Sequence, residues 1–220
     1  AAMFLIRAET AGDALQIEPL LDRCFGIDRH AKASYRYRDG VRPLADLAFV
    51  AEDDRATIVG AIRYWPIRLD RLPALLLGPL AIDPERQGRG IGRALVFHSL
   101  ETATAAGHRL VFLVGDPAYS ARFGFTVAPG GIVMPGEQPS RLNYRVLDSA
   151  LRLPHCGTLA PAVGSRAAAS EAVAGSGPVV LSVASSVAGA IVDDPFQVVG
   201  TDPVAGQVFG SFPETYRIDL

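Results

Sequence analysis

Between Gln87 and Gly92 the chain reads QGRGIG, with arginines at 86, 89 and 93 around its three glycines. Glycines ahead of a helix let several main-chain N–H groups converge on one anion, and the helix dipole adds a favourable partial positive charge. Phosphate is the ligand class this pattern predicts. A Walker loop needs Lys-Ser or Lys-Thr after its last glycine, and Arg93-Ala94 stand there instead. A dinucleotide fingerprint needs G-x-G-x-x-G and an acidic residue closing the next strand. The spacing in this chain is different, although Asp116 in VGDPAY keeps that reading open. A tight turn shaped only for helix–sheet packing is the plain alternative. The flanking arginines and a second chemically loaded segment downstream weigh against it.

That second segment is GDPAYSARFGF, residues 115–125. Asp116 and Pro117 open a short helix, and Tyr119 and Ser120 are its hydroxyl-bearing members. Asp116 also has the ordinary role of an N-cap, taking an orphan helix N–H. A third segment, RHAKASYRYRDG, interleaves Arg29, His30, Lys32, Arg36 and Arg38 with Tyr35 and Tyr37. A solvated face is the default account of such a run. The sharper expectation is that Arg36 and Arg38 meet an anionic ligand or an acidic protein. Further carboxylates able to accept a proton are Glu52 and Asp53, both in a predicted hairpin, where a role on the turn surface competes. His30, His98 and His108 lack metal-ligand spacing and His155-Cys156 alone makes no zinc site, so no metal is expected.

These residues need a scaffold. MFLIRAE has the alternation of a strand, and Thr10 to Asp13 offer caps for a helix through DALQIEPLLDRCF, which Pro19 is expected to kink or restart. LAFVAED and TIVGAIRYWPIRL predict a hairpin about DDRA. ALLLGPLAI, 74–82, is apolar on both faces, as in the middle of a covered sheet, and Gly78-Pro79 should break its ladder. After the glycines, Ile91, Leu95, Val96, Ser99, Leu100 and Ala103 share one helical arc, closed by Gly107. RLVFLVG is a buried strand, completing a βαβ unit. FTVA and RLNYRVLDSAL supply further strands.

The chain has 220 residues, 21 basic and 23 acidic, for a formal charge of −2. That balance gives no reason to expect nucleic acid as partner. Cys24 and Cys156 stand far apart without a disulfide framework, which fits a reducing compartment. AAMFLIRAET lacks the pattern of a secretory signal, and VVLSVASSVAGAIV is shorter than the roughly 20 residues needed to span a bilayer. A cytoplasmic protein with no membrane association is the expectation. Beyond about Leu159 the composition turns to Ala, Gly, Ser and Val, and no Lys or Arg occurs from 167 to 216. This divides the chain into a domain over 1–160 and an extension over 161–220, read as a linker, a small β module or a homodimer contact.

LAIDPERQGRGIGRAL resembles the pyrophosphate-binding segment of the GCN5-related N-acetyltransferase (GNAT) superfamily, whose Gln/Arg-x-x-Gly-x-Gly/Ala pattern falls on Gln87, Gly90 and Gly92. GHRLVFLVGDPAYSARFGF is similar to the strand, helix and Gly-Phe ending that follow there, over about two-thirds of the chain. The group most similar is one of predicted bacterial acetyltransferases. The resemblance implies an α/β fold: a mixed, largely antiparallel sheet, splayed at the fourth strand, with helices on both faces. It implies acetyl-CoA or another acyl-CoA as donor, its pyrophosphate on Gln87, Gly88, Arg89, Gly90, Ile91, Gly92 and Arg93. Pantetheine would lie along Leu80, Ala81 and Ile82. An amine, small molecule or protein, would attack the thioester directly. The superfamily often carries a Tyr five residues before the Phe of the Gly-Phe ending, and that place is Ser120, with Tyr119 one position early. Tyr119, Ser120 and Asp116 are thus the catalytic candidates. Ser120 also admits a second reading, a weakly active or non-catalytic protein that binds acyl-CoA or an acyl carrier.

Overall fold

The computed structural model describes residues 3–31, 33–162 and the strand 179–182. Strand β1 (Met3–Ala8) leads through a 3-10 turn into helix α1 (Ala14–Phe25). This helix runs unbroken through Pro19 and does not restart there. Pro19 lies on the exposed face, where solvent can take the carbonyl left without a helical donor. Ile17, Leu20, Leu21, Cys24 and Phe25 form its buried stripe.

Three 3-10 turns follow, Ile27–Ala31, Ala33–Tyr37 and Ala45–Leu47, and Leu44 N–H donates to the Tyr64 carbonyl. Then come β2 (Phe49–Asp53), β3 (Ile58–Leu69) and β4 (Leu72–Ile82), joined as antiparallel hairpins. Helix α2 (Ile91–Ala105) crosses to β5 (Leu110–Val114), parallel to β4. Its buried residues include the whole predicted arc from Ile91 to Ala103. Helix α3 (Pro117–Ala121), β6 (Thr126–Val127), β7 (Gly131–Val133), β8 (Leu142–Val146) and β9 (Cys156–Pro161) follow. Val179–Ser182, as β10, pairs antiparallel with β1.

The sheet order is β10-β1-β2-β3-β4-β5-β8-β6, in which β4 and β5 lie parallel and the other neighbours antiparallel. β9 joins the far half of β3, Ile67–Leu69, and pairs with β7. Neither β7 nor β9 announced itself in the sequence. The sheet separates two apolar layers. α1 packs on Val50, Ile58, Ala61 and Ala81, while α2 covers the opposite face with Ile62, Tyr64, Leu80 and the β5 side chains. The expectations for 163–178 and 183–220 lie outside the described residues. Among the described residues no helix is long and apolar enough to cross a membrane.

Candidate active site

The break in β4 comes from two residues. Ile62 stands across from Leu80 but Tyr64 across from Leu77, so Gly78 and Pro79 together face the single residue Arg63. That is a bulge, with a proline that has no ladder N–H to give and a glycine at φ +133°. β5 pairs with β4 only at Leu75 and Leu76, before the bulge. Beyond it the two strands part. The indole N–H of Trp65 donates to the Gly78 carbonyl at 2.7 Å, pinning the bulge to β3.

The ladder past the bulge decides which main-chain groups face the gap. Asp83 N–H donates to the carbonyl of Val59, across from it in register. Antiparallel pairs alternate, so Ala61 with Ala81 is the next hydrogen-bonded pair, and Leu80 and Ile82 turn their N–H and C=O groups away from β3. The Cys24 thiol, which donates to the Ile82 carbonyl at 3.2 Å, lies on that outward side. Of the three residues expected along the donor's arm, Leu80 and Ile82 therefore present main chain to the gap. Ala81 directs its own to β3 and packs its methyl against α1.

From Ile82 the chain reaches the glycine loop through a braced turn. Asp83 accepts from Glu85 N–H at 3.0 Å and pairs with Arg23, while Arg86 pairs with Asp53 at 3.1 Å. Gly88 and Gly90 adopt left-handed φ values of +75° and +79°, with open space where a side chain would stand. Gln87, Gly88, Arg89 and Gly90 are exposed, and Ile91 and Gly92 are buried at the start of α2. The first helical bond runs from Ala94 N–H to the Gly90 carbonyl, so the amides of Ile91 and Gly92 precede the ladder. Arg93 lies over the Phe97 ring, 5.5 Å from its centroid. An exposed glycine turn, early helical amides and an open strand edge thus lie in one line.

The three catalytic candidates separate. Ser120 is fully buried, and its hydroxyl donates back to the carbonyls of Asp116 (2.9 Å) and Pro117 (3.2 Å). It faces its own helix, not the gap. Asp116 caps α3, accepting from Tyr119 N–H at 2.7 Å. Tyr119 packs edge-on against Phe123, yet its hydroxyl oxygen lies 3.4 Å from where a Cβ on Gly92 would stand, a position equally close to Ile82. Burial raises its phenol above the ordinary value and keeps it protonated. Packing and a hydroxyl at the gap are combined in one side chain.

The remaining carboxylates are occupied. Glu52 pairs with Arg7 at 2.8 Å. Burial disfavours an ionised Asp53, but the N–H groups of Thr57 and Arg55 and the charge of Arg86 hold it below the usual range. The basic segment is not one solvated face. Arg29 is buried and paired with Glu18 and Asp22, and Arg36 is exposed. Arg38 is 7% exposed and stacks 4.3 Å above the Tyr35 ring and 5.6 Å from the Trp65 ring centroid. Trp65, Cys24 and the Glu9–Arg63 pair were not singled out as site residues in the sequence. The chain's one tryptophan, in IRYWPI beside a predicted break, was the signal to follow. Among the described residues no group of three or more His, Cys, Asp or Glu side chains could hold a metal ion.

Comparison with known proteins follows the same outline. Residues 14–125 match the model of the acetyltransferase (GNAT) family. An uncharacterized N-acetyltransferase of Escherichia coli strain K12, YhbS, is 34% identical over 153 residues, 67% of this chain and 90% of the relative. A second from that strain, YjhQ, is 29% identical over 142 residues, covering 62% and 77%. The crystal structure of the GNAT family N-acetyltransferase YhbS from Escherichia coli in complex with CoA superposes with a TM-score of 0.62 at 30% identity, over 73% of this chain and 91% of the other. A GNAT family acetyltransferase from Brucella melitensis in complex with acetyl-CoA shares the fold, with a TM-score of 0.55 at 24% identity over 73% and 96%.

Proposed function

This chain belongs to the GNAT acetyltransferase family, and from that premise we propose that it moves an acetyl or other acyl group from acyl-CoA to an amine by direct attack. The observation that carries the proposal is the parting of β4 from β5 after Leu76, with the outward main chain of Leu80 and Ile82 leading to the glycine turn. The donor's pantetheine amides pair with Leu80 and Ile82 as an added strand would. Its pyrophosphate takes the amides about Gly88–Gly92, with Gln87, Arg89 and Arg93 beside it. The thioester end then lies toward Gly78. Ile82 is four residues further along, roughly 13 Å of strand. Tyr119, beside Ile82 and Gly92, therefore serves the pantetheine–pyrophosphate end and is a positioning residue.

The nitrogen lone pair attacks the thioester carbon, the carbon–sulfur bond breaks, and the sulfur leaves with its electron pair. The Leu80 N–H faces the position where negative charge collects on the oxygen. A thiol has a pKa near 8.5, so its thiolate departs without a dedicated acid. With Glu52, Asp53, Asp116 and Ser120 all engaged elsewhere, the amine proton goes to water, and the amine must arrive neutral.

The sealed hydroxyl of Ser120 also favours a second reading, a protein that binds acyl-CoA or an acyl carrier and transfers slowly or not at all. Thermal unfolding with CoA, ATP and NAD tests the binding step: CoA alone should stabilise, and no response to CoA would remove both readings. Thiol release across an amine panel then separates enzyme from binder. The protein is expected to act in the cytoplasm.

A further inference from the structure

The guanidinium of Arg38 keeps one edge unpaired inside the protein. Its Nε and Nη2 are each buried and have no hydrogen-bond partner among the described residues. Those two atoms form a single edge of the guanidinium, the side-on fork whose parallel N–H bonds match the two oxygens of a carboxylate. The neighbouring acids cannot serve it. Glu9 is held by both ends of the Arg63 fork at 2.7 Å, Glu18 by Arg29 and Arg63, and Asp22 by Arg29. The Tyr35 phenol favours the Arg38 charge, while the charges of Arg63 and Arg29 are of its own sign. Burial pushes its pKa down to about 10, which leaves it cationic at neutral pH.

Its place in the fold says what it meets. The Arg38 guanidinium lies over both the Tyr35 and the Trp65 rings, and the Trp65 indole is bonded to Gly78 at the bulge where β4 and β5 part. The fork therefore sits next to the thioester end of the gap, on the sheet face that carries α1. Resting on the acyl-transfer reading, we propose that Arg38 is the carboxylate-binding residue of the acceptor pocket and that the acceptor is an amine carrying a carboxylate near its nitrogen. An acidic protein surface fits less well, because it would be met by the exposed Arg36 and could not reach a buried fork. Since water does not reach the edge, the ion pair an acceptor makes there is little screened.

Calorimetry on the CoA-saturated full chain tests this with N-acetylphenylalanine and N-acetylphenethylamine, two product-like probes that differ by one carboxylate. The carboxylate probe should bind about 10-fold tighter or more. Arg38→Met should abolish that preference with CoA affinity intact, and Arg38→Lys should restore only part of it, an ammonium having no fork. Equal binding of the probes, no binding of either, or a preference that survives Arg38→Met would overturn the proposal. Acetyl-CoA and succinyl-CoA form the second arm. An Arg38-dependent preference for succinyl-CoA, without one for the carboxylate probe, places the carboxylate on the donor and overturns the acceptor assignment. Failure to bind CoA counts against the acyl-transfer reading instead.

Discussion

The Trp65 indole N–H lies 2.7 Å from the Gly78 carbonyl, and this bond ties β3 to β4 at the bulge beyond which β5 no longer pairs. A buried carbonyl stripped of its donor keeps the cost of desolvation. Trp65→Phe keeps most of the ring and removes the N–H. It should cost about 1–3 kcal/mol in urea unfolding and weaken CoA binding. Unchanged stability would mean that the indole does not hold the bulge.

Gly90 sits at φ +79° as the N-cap of α2, with nothing within 4 Å of an added Cβ. Gly90→Ala is therefore a pure backbone change, expected to destabilise by about 1–2 kcal/mol. CoA affinity should fall further than stability, because the turn aims the amides. An alanine variant that binds CoA as wild type does would dissociate the loop's conformation from binding.

Ser120 and Tyr119 make the same prediction for kcat and different ones for the donor KM. Ser120→Ala removes a hydroxyl bonded only within its own helix among the described residues, so kcat should stay within about 3-fold once folding is matched. Tyr119→Phe should raise KM for the donor and leave kcat nearly unchanged. A collapse of kcat in either variant contradicts a self-bonded Ser120 and a positioning Tyr119.

Much of the fold was legible in the sequence. The break at Gly78-Pro79, the apolar strand, the glycine turn and the arc of α2 follow from local chemistry, and each is where the pattern placed it. Burial of Arg29 and Arg38 was not legible. A run of arginines and tyrosines reads as a solvated face until the fold tucks two of them under. Ser120 could be counted to but not oriented, since a hydroxyl bonded to its own helix looks the same in sequence as one aimed at a cleft. The outward turn of Leu80 and Ile82 needed the register with β3.

Asp13 offers a test of the frame independent of the ligand. Its carboxylate accepts from Arg7 at 2.7 and 2.9 Å, and from the N–H (2.7 Å) and hydroxyl (2.9 Å) of Thr10. The Arg7 bonds, the largest cause, hold it well below the usual range. A depressed carboxylate lends its stability above the unfolded value, near 3.9, and loses it as pH falls toward the folded one. Asp13→Asn should cost about 2–3 kcal/mol at pH 7. The gap from wild type should narrow below about pH 4. A gap that stays constant down to pH 3 would argue against the ion pair.

Transfer without an enzymatic acid or base leaves its mark on the pH profile. With the amine arriving neutral, log kcat/KM should rise with unit slope across about pH 6–8, with no break from a protein group in that range. A slope that steepens toward two below about pH 6–7 would reveal a general base among the protein's side chains.

Acyl transfer itself is decided by incubating the protein with acetyl-CoA and a panel of neutral and carboxylate-bearing amines, counting free thiol and N-acetylated product together. Product from a carboxylate-bearing amine is expected in amounts equal to the thiol released, each dependent on Gly90. Tight CoA binding with no N-acetylated product from any amine would contradict acyl transfer and leave the chain a binder of acyl-CoA.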